Sequence, residues 1–238
     1  MIKRILIIGF GMMGKSHLYS FINSKHKYQI SIYDKKNYSK IEISNYFNKV
    51  NFLKKFPKKK KYDCVIIATS SDIRFLLLKK ILKFNKVNKV ILEKFIFPKI
   101  VQYKKFAKFS ENYKDLILKV NTWGDYLYRN LKLPKNIKNN NVKIFVPEGT
   151  LLSNTIHYLD FCFRKIQKIE INLNLKRIIN SKRNSYHEAL GKISINTSQK
   201  QISIQTSKNK NDKMVFLKGY KLILRFSQFT VFKKKKII

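Results

Sequence analysis

Five apolar runs punctuate the first half of the chain: KRILIIG (3–9), QISIYD (29–34), DCVIIAT (63–69), KVILEK (89–94) and LILKV (116–120). They are nearly continuous in apolar character rather than alternating. A strand reads this way when both of its faces are covered, as in a parallel sheet flanked by helices. Between the runs lie stretches with helical spacing, Met13–Asn23 and Asp72–Phe84. Strand–helix alternation of this kind predicts a doubly wound α/β domain over residues 1–120.

The second half, 121–238, has a different period. In KIEINLNLKRI (168–178), Ile169, Ile171, Leu173 and Leu175 fall on one face, and Glu170, Asn172, Asn174 and Lys176 on the other. GKISINT (191–197) and KQISIQT (200–206) alternate in the same way. Period two with one polar face predicts antiparallel strands in a sheet open on one side, four or five in all. TSQKQ (197–201) reads as a hairpin connection and Lys218-Gly219 as a tight turn. One helix is expected before these strands, over Asn154–Lys165, with Ser153 as its N-cap.

The first strand runs into Gly9-Phe10-Gly11-Met12-Met13-Gly14. In a G-x-G-x-x-G turn the first glycine allows the sharp exit from the strand. The second lets backbone approach a pyrophosphate with no Cβ in the way, and the third lets helix and strand pack closely. The helix N-terminus then offers N–H groups and a positive dipole end to the phosphates. Asp34 ends the next strand, 20 residues after Gly14. A carboxylate there accepts ribose hydroxyls and repels a 2′-phosphate, which favours NAD, although Lys35 and Lys36 leave NADP open.

Composition qualifies this picture. The formal charge is +39, yet 45 of the 52 basic residues are lysine and Asn, Ile, Phe and Tyr are abundant. That skew is expected of an AT-rich genome. Arginine, the usual reader of phosphates and bases, is scarce, so nucleic acid is not the expected partner. The runs KKFPKKKK (54–61) and KKKK (233–236) read as solvated segments. No apolar run reaches the ~18 residues of a membrane span. Cys64 and Cys162 sit in apolar segments, as expected of buried thiols in a reducing, cytoplasmic compartment. His17, His26, His157 and His187 show no ligand-like spacing with the cysteines, so no metal is expected.

The ordered series ILIIGFGMMGKSH (5–17), VIIATSSDIR (65–74), VILEKF (90–95), GTLLSNTIHYLD (149–160) and SKRNSYHEALGKI (181–193) resembles the Gfo/Idh/MocA family. The resemblance covers residues 1 to about 230. It implies an N-terminal Rossmann domain, a C-terminal α+β domain with an open, mainly antiparallel sheet, and NAD(P)-dependent chemistry on sugars, sugar nucleotides or cyclitols. SNTIHYLDF is most similar to members associated with surface-polysaccharide sugar pathways.

Residue by residue, the resemblance implies the following. Gly9, Phe10, Gly11, Met12, Met13 and Gly14 form the cofactor loop. Ala68, Thr69 and Ser70 line the nicotinamide side, with Arg74 where the family usually has histidine. The family's Glu-Lys-Pro falls on Glu93-Lys94-Phe95, and Lys94 carries over as the lysine that binds or polarises the reacting oxygen. His157 matches the substrate histidine and is expected to move a proton. The aspartate four residues before that histidine is replaced by Ser153, and Asp160, three residues after it, stands on the same helical face and is expected to support it. His17 and Trp123 are expected to pack rather than react. Lys182, Arg183 and Glu188 match a family segment without an assigned role.

The chain is shorter than typical members, which leads us to expect a reduced C-terminal domain and homo-oligomerisation through its sheet. The competing expectation is a catalytically weakened dinucleotide-binding protein acting as a partner subunit.

Overall fold

The computed structural model describes residues 2–36, 50–130, 141–163, 169–181, 186–198 and 200–207, and the backbone of three further strands within 213–233. The expected turn at Lys218-Gly219 lies outside the described residues, as do Lys182 and Arg183. The chain forms two compact units, 1–121 and 122–238.

The first unit is built on β1 (Lys3–Ile8), α1 (Met12–Ile22), β2 (Tyr28–Tyr33), β3 (Val50–Phe52), β4 (Lys61–Tyr62) and β5 (Cys64–Ile67). It continues with α2 (Ser71–Phe84), β6 (Lys86–Val87), β7 (Lys89–Glu93), α3 (Ile100–Ser110) and β8 (Ile117–Asn121). Six strands form one sheet in the order β3-β2-β1-β5-β7-β8, and every pairing in it is parallel. β4 and β6 make a separate two-stranded parallel ladder.

The apolar runs of the sequence fill both faces of this sheet. Ile5 and Ile7 point to one side, where Leu18 of α1 packs with Ile30, Ile32 and Ile66. Leu6 and Ile8 point to the other, against Leu77, Leu78 and Ile81 of α2. Each such side chain, fully buried, contributes roughly 1.5–3 kcal/mol. The strand order reverses between β1 and β5. In open α/β sheets the carboxyl ends of the strands at such a reversal form the ligand crevice.

The second unit comprises α4 (Gly124–Asn130), β9 (Val142–Pro147), α5 (Leu151–Cys162), β10 (Glu170–Asn180), β11 (His187–Asn196), β12 (Gln201–Ser207), β13 (Lys213–Leu217), β14 (Tyr220–Arg225) and β15 (Gln228–Lys233). Its sheet runs β10-β11-β12-β9-β13-β14-β15. Seven strands replace the four or five expected. β9, β13, β14 and β15 supply strands that lacked a clean alternating signature. The sheet is mixed, because β9 pairs parallel to β12 while every other pairing is antiparallel. The hairpin between β11 and β12 closes with the Thr197 N–H donating to the Lys200 carbonyl at 3.0 Å.

One face of this sheet is covered by α5. Leu151, Tyr158 and Phe161 bury Val142, Ile144, Ile193, Ile195, Ile202 and Ile204. The helix begins at Leu151 with Thr150 as N-cap, three residues earlier than expected. Ser153 is therefore in the first turn, not at the cap. Two aspects of β10 depart from simple alternation. A bulge interrupts its pairing with β11 between Leu175 and Arg177. Gly191 of β11, at φ +142, lies beneath it, and a Cβ there would crowd the Leu175 Cα at 2.9 Å.

Candidate functional site

At the end of β1 the chain turns at Gly9, whose φ is +95. A side chain there would be strained and would meet the Ala68 carbonyl carbon and the Thr69 Cγ2, each at 2.9 Å. The loops after β1 and β5 thus touch through Gly9, and the Ala68 N–H donates to the Ile8 carbonyl at 2.8 Å. Gly14, one turn into α1, lies against the Gly9 carbonyl, with no room for a Cβ. Gly11 is different: a Cβ built on it meets nothing within 4 Å. Protein packing therefore does not require glycine at position 11, and the space in front of it is open to a group from outside the chain.

The helix start matches that reading. Gly11 is the N-cap of α1; no side chain caps the helix and no acid stands in its first turn. The first N–H groups of a helix lack intrahelical partners. Here the positive end of the helix dipole is left for an external anion. The residues present therefore fit a dinucleotide pyrophosphate. Met12 is exposed beside this opening and Met13 half-buried. Phe10 contributes differently: its ring is fully buried against Phe52, and its N–H donates to Asp34 Oδ2 at 2.6 Å.

Asp34 ends β2 beside the loop, as the spacing indicated. Its second oxygen, Oδ1, accepts the Lys36 N–H at 2.8 Å. The carboxylate thus ties the first loop to the second strand. A carboxylate oxygen can accept more than one hydrogen bond, so these two contacts do not by themselves bar ribose hydroxyls. Thr69 is half-buried and Ser70 exposed at the start of α2. Hydrogen bonding from Ser70 lowers the Asp72 carboxyl below its ordinary value, opposed by the slight burial of Asp72.

Lys94 follows β7 and is half-buried; the Lys94–Phe95 peptide is cis. The segment around it is held by Arg74, which is buried to 2 % exposure. The guanidinium donates to the carbonyls of Glu93 (2.6 Å), Phe95, Ile96 (3.1 Å) and Thr69. Arg74 thus joins the Ala68–Ser70 loop to the Glu93–Phe95 segment from the position where the family usually has histidine. Glu93 is likewise buried. Its Oε1 lies 2.7 Å from His17 Nε2 and accepts the Asn121 side-chain N–H at 2.7 Å. Burial pushes the Glu93 carboxyl up, but these hydrogen bonds and the nearby charges of His17 and Arg74 hold it below the ordinary glutamate value. His17 is thus a polar link between α1 and β7, not only a packing residue.

In the second unit, His157 is 6 % exposed on α5. Its ring stacks on Trp123 with centroids 4.8 Å apart, and Nδ1 accepts the Trp123 backbone N–H at 3.2 Å. An acceptor Nδ1 places the proton of the neutral ring on Nε2. Neutral His157 is therefore a donor at Nε2. Service as a base there would need a proton on Nδ1, which faces the Trp123 N–H. Asp160 Oδ2 accepts the Thr122 hydroxyl at 2.5 Å and lies 2.8 Å from where a Cβ on Gly124 would stand, at the start of α4. Trp123 also meets Tyr158 edge-on at 5.2 Å. Tyr158 is fully buried, and burial raises its hydroxyl well above the ordinary tyrosine value.

Ser153 stands where the family has an aspartate. Its N–H donates to Glu188 Oε1 at 3.0 Å, and the Leu152 N–H donates to Glu188 Oε2 at 2.8 Å. Glu188, on β11 and 3 % exposed, closes the N-terminus of α5 with its carboxylate. By the alternation of β11, with Ala189, Ile193 and Ile195 inward, Glu188 falls on the other parity, so strand periodicity carries no signal of this contact.

Among the described residues no helix is long and apolar enough to cross a membrane. Residues 3–121 match the family described as "Oxidoreductase family, NAD-binding Rossmann fold". No curated protein matches the sequence at a significant level. Solved structures do match in fold. A Gfo/Idh/MocA family oxidoreductase from Vibrio cholerae is 11% identical, with 99% of this chain and 83% of that one covered and a TM-score of 0.64. The dehydrogenase MviM from Clostridium difficile is 14% identical, with 99% and 84% covered and a TM-score of 0.61. Biliverdin reductase from Synechocystis sp. PCC 6803, solved with biliverdin and NADP+, is also 14% identical, with 99% and 85% covered and a TM-score of 0.56. The match over residues 3–121, joined to the parallel sheet and the glycine turn at its switch point, makes this chain a member of the Gfo/Idh/MocA oxidoreductase family.

Proposed function

We propose that the chain is an NAD(P)-dependent oxidoreductase acting on a hydroxyl or ketone of a sugar or sugar nucleotide, in the making of surface-polysaccharide sugars in the cytoplasm. The observation that carries the cofactor half is the open N-terminus of α1, with Gly11 facing empty space. Gly9–Gly14, Asp34, Ala68–Ser70 and the Glu93-Lys94 segment would hold the dinucleotide, and Asp34 favours NAD. When bound, the cofactor supplies or accepts a hydride.

The chain's own residues do the rest. The Lys94 ammonium binds the reacting oxygen and exchanges its proton. His157 donates a hydrogen bond to the sugar through Nε2–H, and Asp160 anchors the Thr122–Gly124 turn that carries Trp123. Keeping proton movement on Lys94 follows from the Trp123 N–H on His157 Nδ1. The protein assembles as a homo-oligomer through its C-terminal sheet.

The test is binding of NADH and NADPH, followed by NADH oxidation against a panel of keto-sugars. Lys94→Ala should lower turnover by roughly 100- to 10,000-fold with cofactor binding retained. Cofactor binding with no turnover on any sugar would favour a second reading, a dinucleotide-binding partner subunit. Ser153 favours that reading: it stands in the position of the family's aspartate, with its N–H given to Glu188.

A further inference from the structure

Arg74 is a buried cation with no part in the proposed chemistry. A charge taken out of water is costly unless it is paired and hydrogen-bonded. The Arg74 guanidinium meets four backbone carbonyls, and the buried Glu93 carboxylate nearby opposes its charge. Three of those carbonyls belong to one short stretch, Glu93, Phe95 and Ile96. The Glu93 carbonyl is part of the peptide bond that leads into Lys94, and the Phe95 carbonyl lies one residue past it. The backbone that carries Lys94 is thus held on both sides. The fourth carbonyl, of Thr69, belongs to the loop on the nicotinamide side of the proposed cofactor site.

Two positions at which this chain departs from the family pattern meet in this contact. A proline at 95 would fix φ through its ring, and Phe95 carries no such constraint. The Arg74 N–H on the Phe95 carbonyl holds that residue from outside instead. On the other flank, the Glu93 carboxylate is tied to His17 of α1 and to Asn121 at the end of β8. A planar guanidinium suits this task because its N–H groups point in fixed directions and serve several carbonyls at once.

We propose that Arg74 is a positioning residue for Lys94: its guanidinium fixes the backbone on both sides of the lysine, and so the place of the ammonium against the reacting oxygen. The inference rests on the reading of Lys94 as the group that binds that oxygen, and it adds what holds the lysine there.

Arg74→Ala strands all four carbonyls, so the test uses Arg74→Lys and Arg74→His in the full chain, with folding followed by circular dichroism. Lysine keeps the charge without the fork, and histidine has at most two N–H groups. Each variant should lower kcat on a keto-sugar by roughly 10- to 100-fold with NADH affinity unchanged, since a misplacement of about 1 Å at a reacting group costs up to roughly 100-fold. Amide hydrogen exchange over residues 94–97 should quicken in both. With Lys94→Ala as the background, Arg74→Lys should cost no further turnover, because the lysine it would position is gone. A folded variant with the parent's kcat, or with unchanged exchange over 94–97, overturns the inference alone. So does a loss that multiplies with that of Lys94→Ala, or one that falls equally on NADH affinity. A parent that binds NADH and reduces no keto-sugar overturns the inference together with the enzyme reading.

Discussion

The N-termini of α1 and α5 differ in what stands in front of them. α1 begins at Gly11 with no side-chain cap and no acid in its first turn. α5 begins with two of its N–H groups taken by the buried Glu188 carboxylate. Both ends carry the same unsatisfied donors and the same positive dipole end. In α5 the protein supplies the anion itself, which fixes the helix to β11 and closes the end. In α1 the anion is left to come from outside. A helix N-terminus is thus a structural joint or a binding site according to what the rest of the chain places in front of it.

Several substitutions probe that contrast. The largest loss of stability is expected from Arg74→Ala, which strands the four carbonyls that the guanidinium serves around the β5 and β7 ends; we expect about 4 kcal/mol in denaturant unfolding. Glu188→Ala should cost about 2 kcal/mol, because it leaves two half-buried N–H donors of α5 without their acceptor. Cofactor affinity should be unmoved by it. Equal loss of cofactor binding and stability would mean that the two helix ends do not work separately.

A smaller effect is read against pH. Glu93 is held below the ordinary glutamate value, so its stabilisation is present above that value and fades as pH falls through the lowered one. Glu93→Gln should be less stable than the parent near neutrality, and the gap should close in the acid range. A gap independent of pH would show that the contacts with His17 and Asn121 do not depend on the charge.

Much of the first unit was legible because its signals are local. Continuous apolar strands, the glycine spacing and Asp34 each carry their meaning within a few residues, whereas the strand order comes from the structure alone. The second unit was legible only where strands alternate. β9, with buried Val142, Ile144 and Val146, gave no signal strong enough to be counted, and it joins β12 in parallel across some sixty residues of chain. The cap of α5 was misread for a related reason. Ser153 is a good local capping residue, but a carboxylate from β11 reaches the helix end, and nothing near Ser153 in sequence announces it. The partners of Arg74 and His17 lie in Glu93 at the end of β7, in Phe95 and Ile96 just after it and in Thr69, which spacing along α1 and α2 does not reveal.

If the α1 terminus is kept open for the cofactor's phosphates, closing it must cost cofactor binding. Gly11→Asp tests it most directly, because it gives α1 what Glu188 gives α5. Aspartate is a favoured N-cap, φ at Gly11 is −70, and a Cβ there meets nothing, so the variant should be as stable as the parent or more so by up to about 1 kcal/mol. Titration of both proteins with NADH, followed by its fluorescence, should show binding to the parent and a loss of at least about 100-fold in the variant, since a carboxylate at the loop repels the pyrophosphate. A stable Gly11→Asp protein that binds NADH as tightly as the parent would contradict the account.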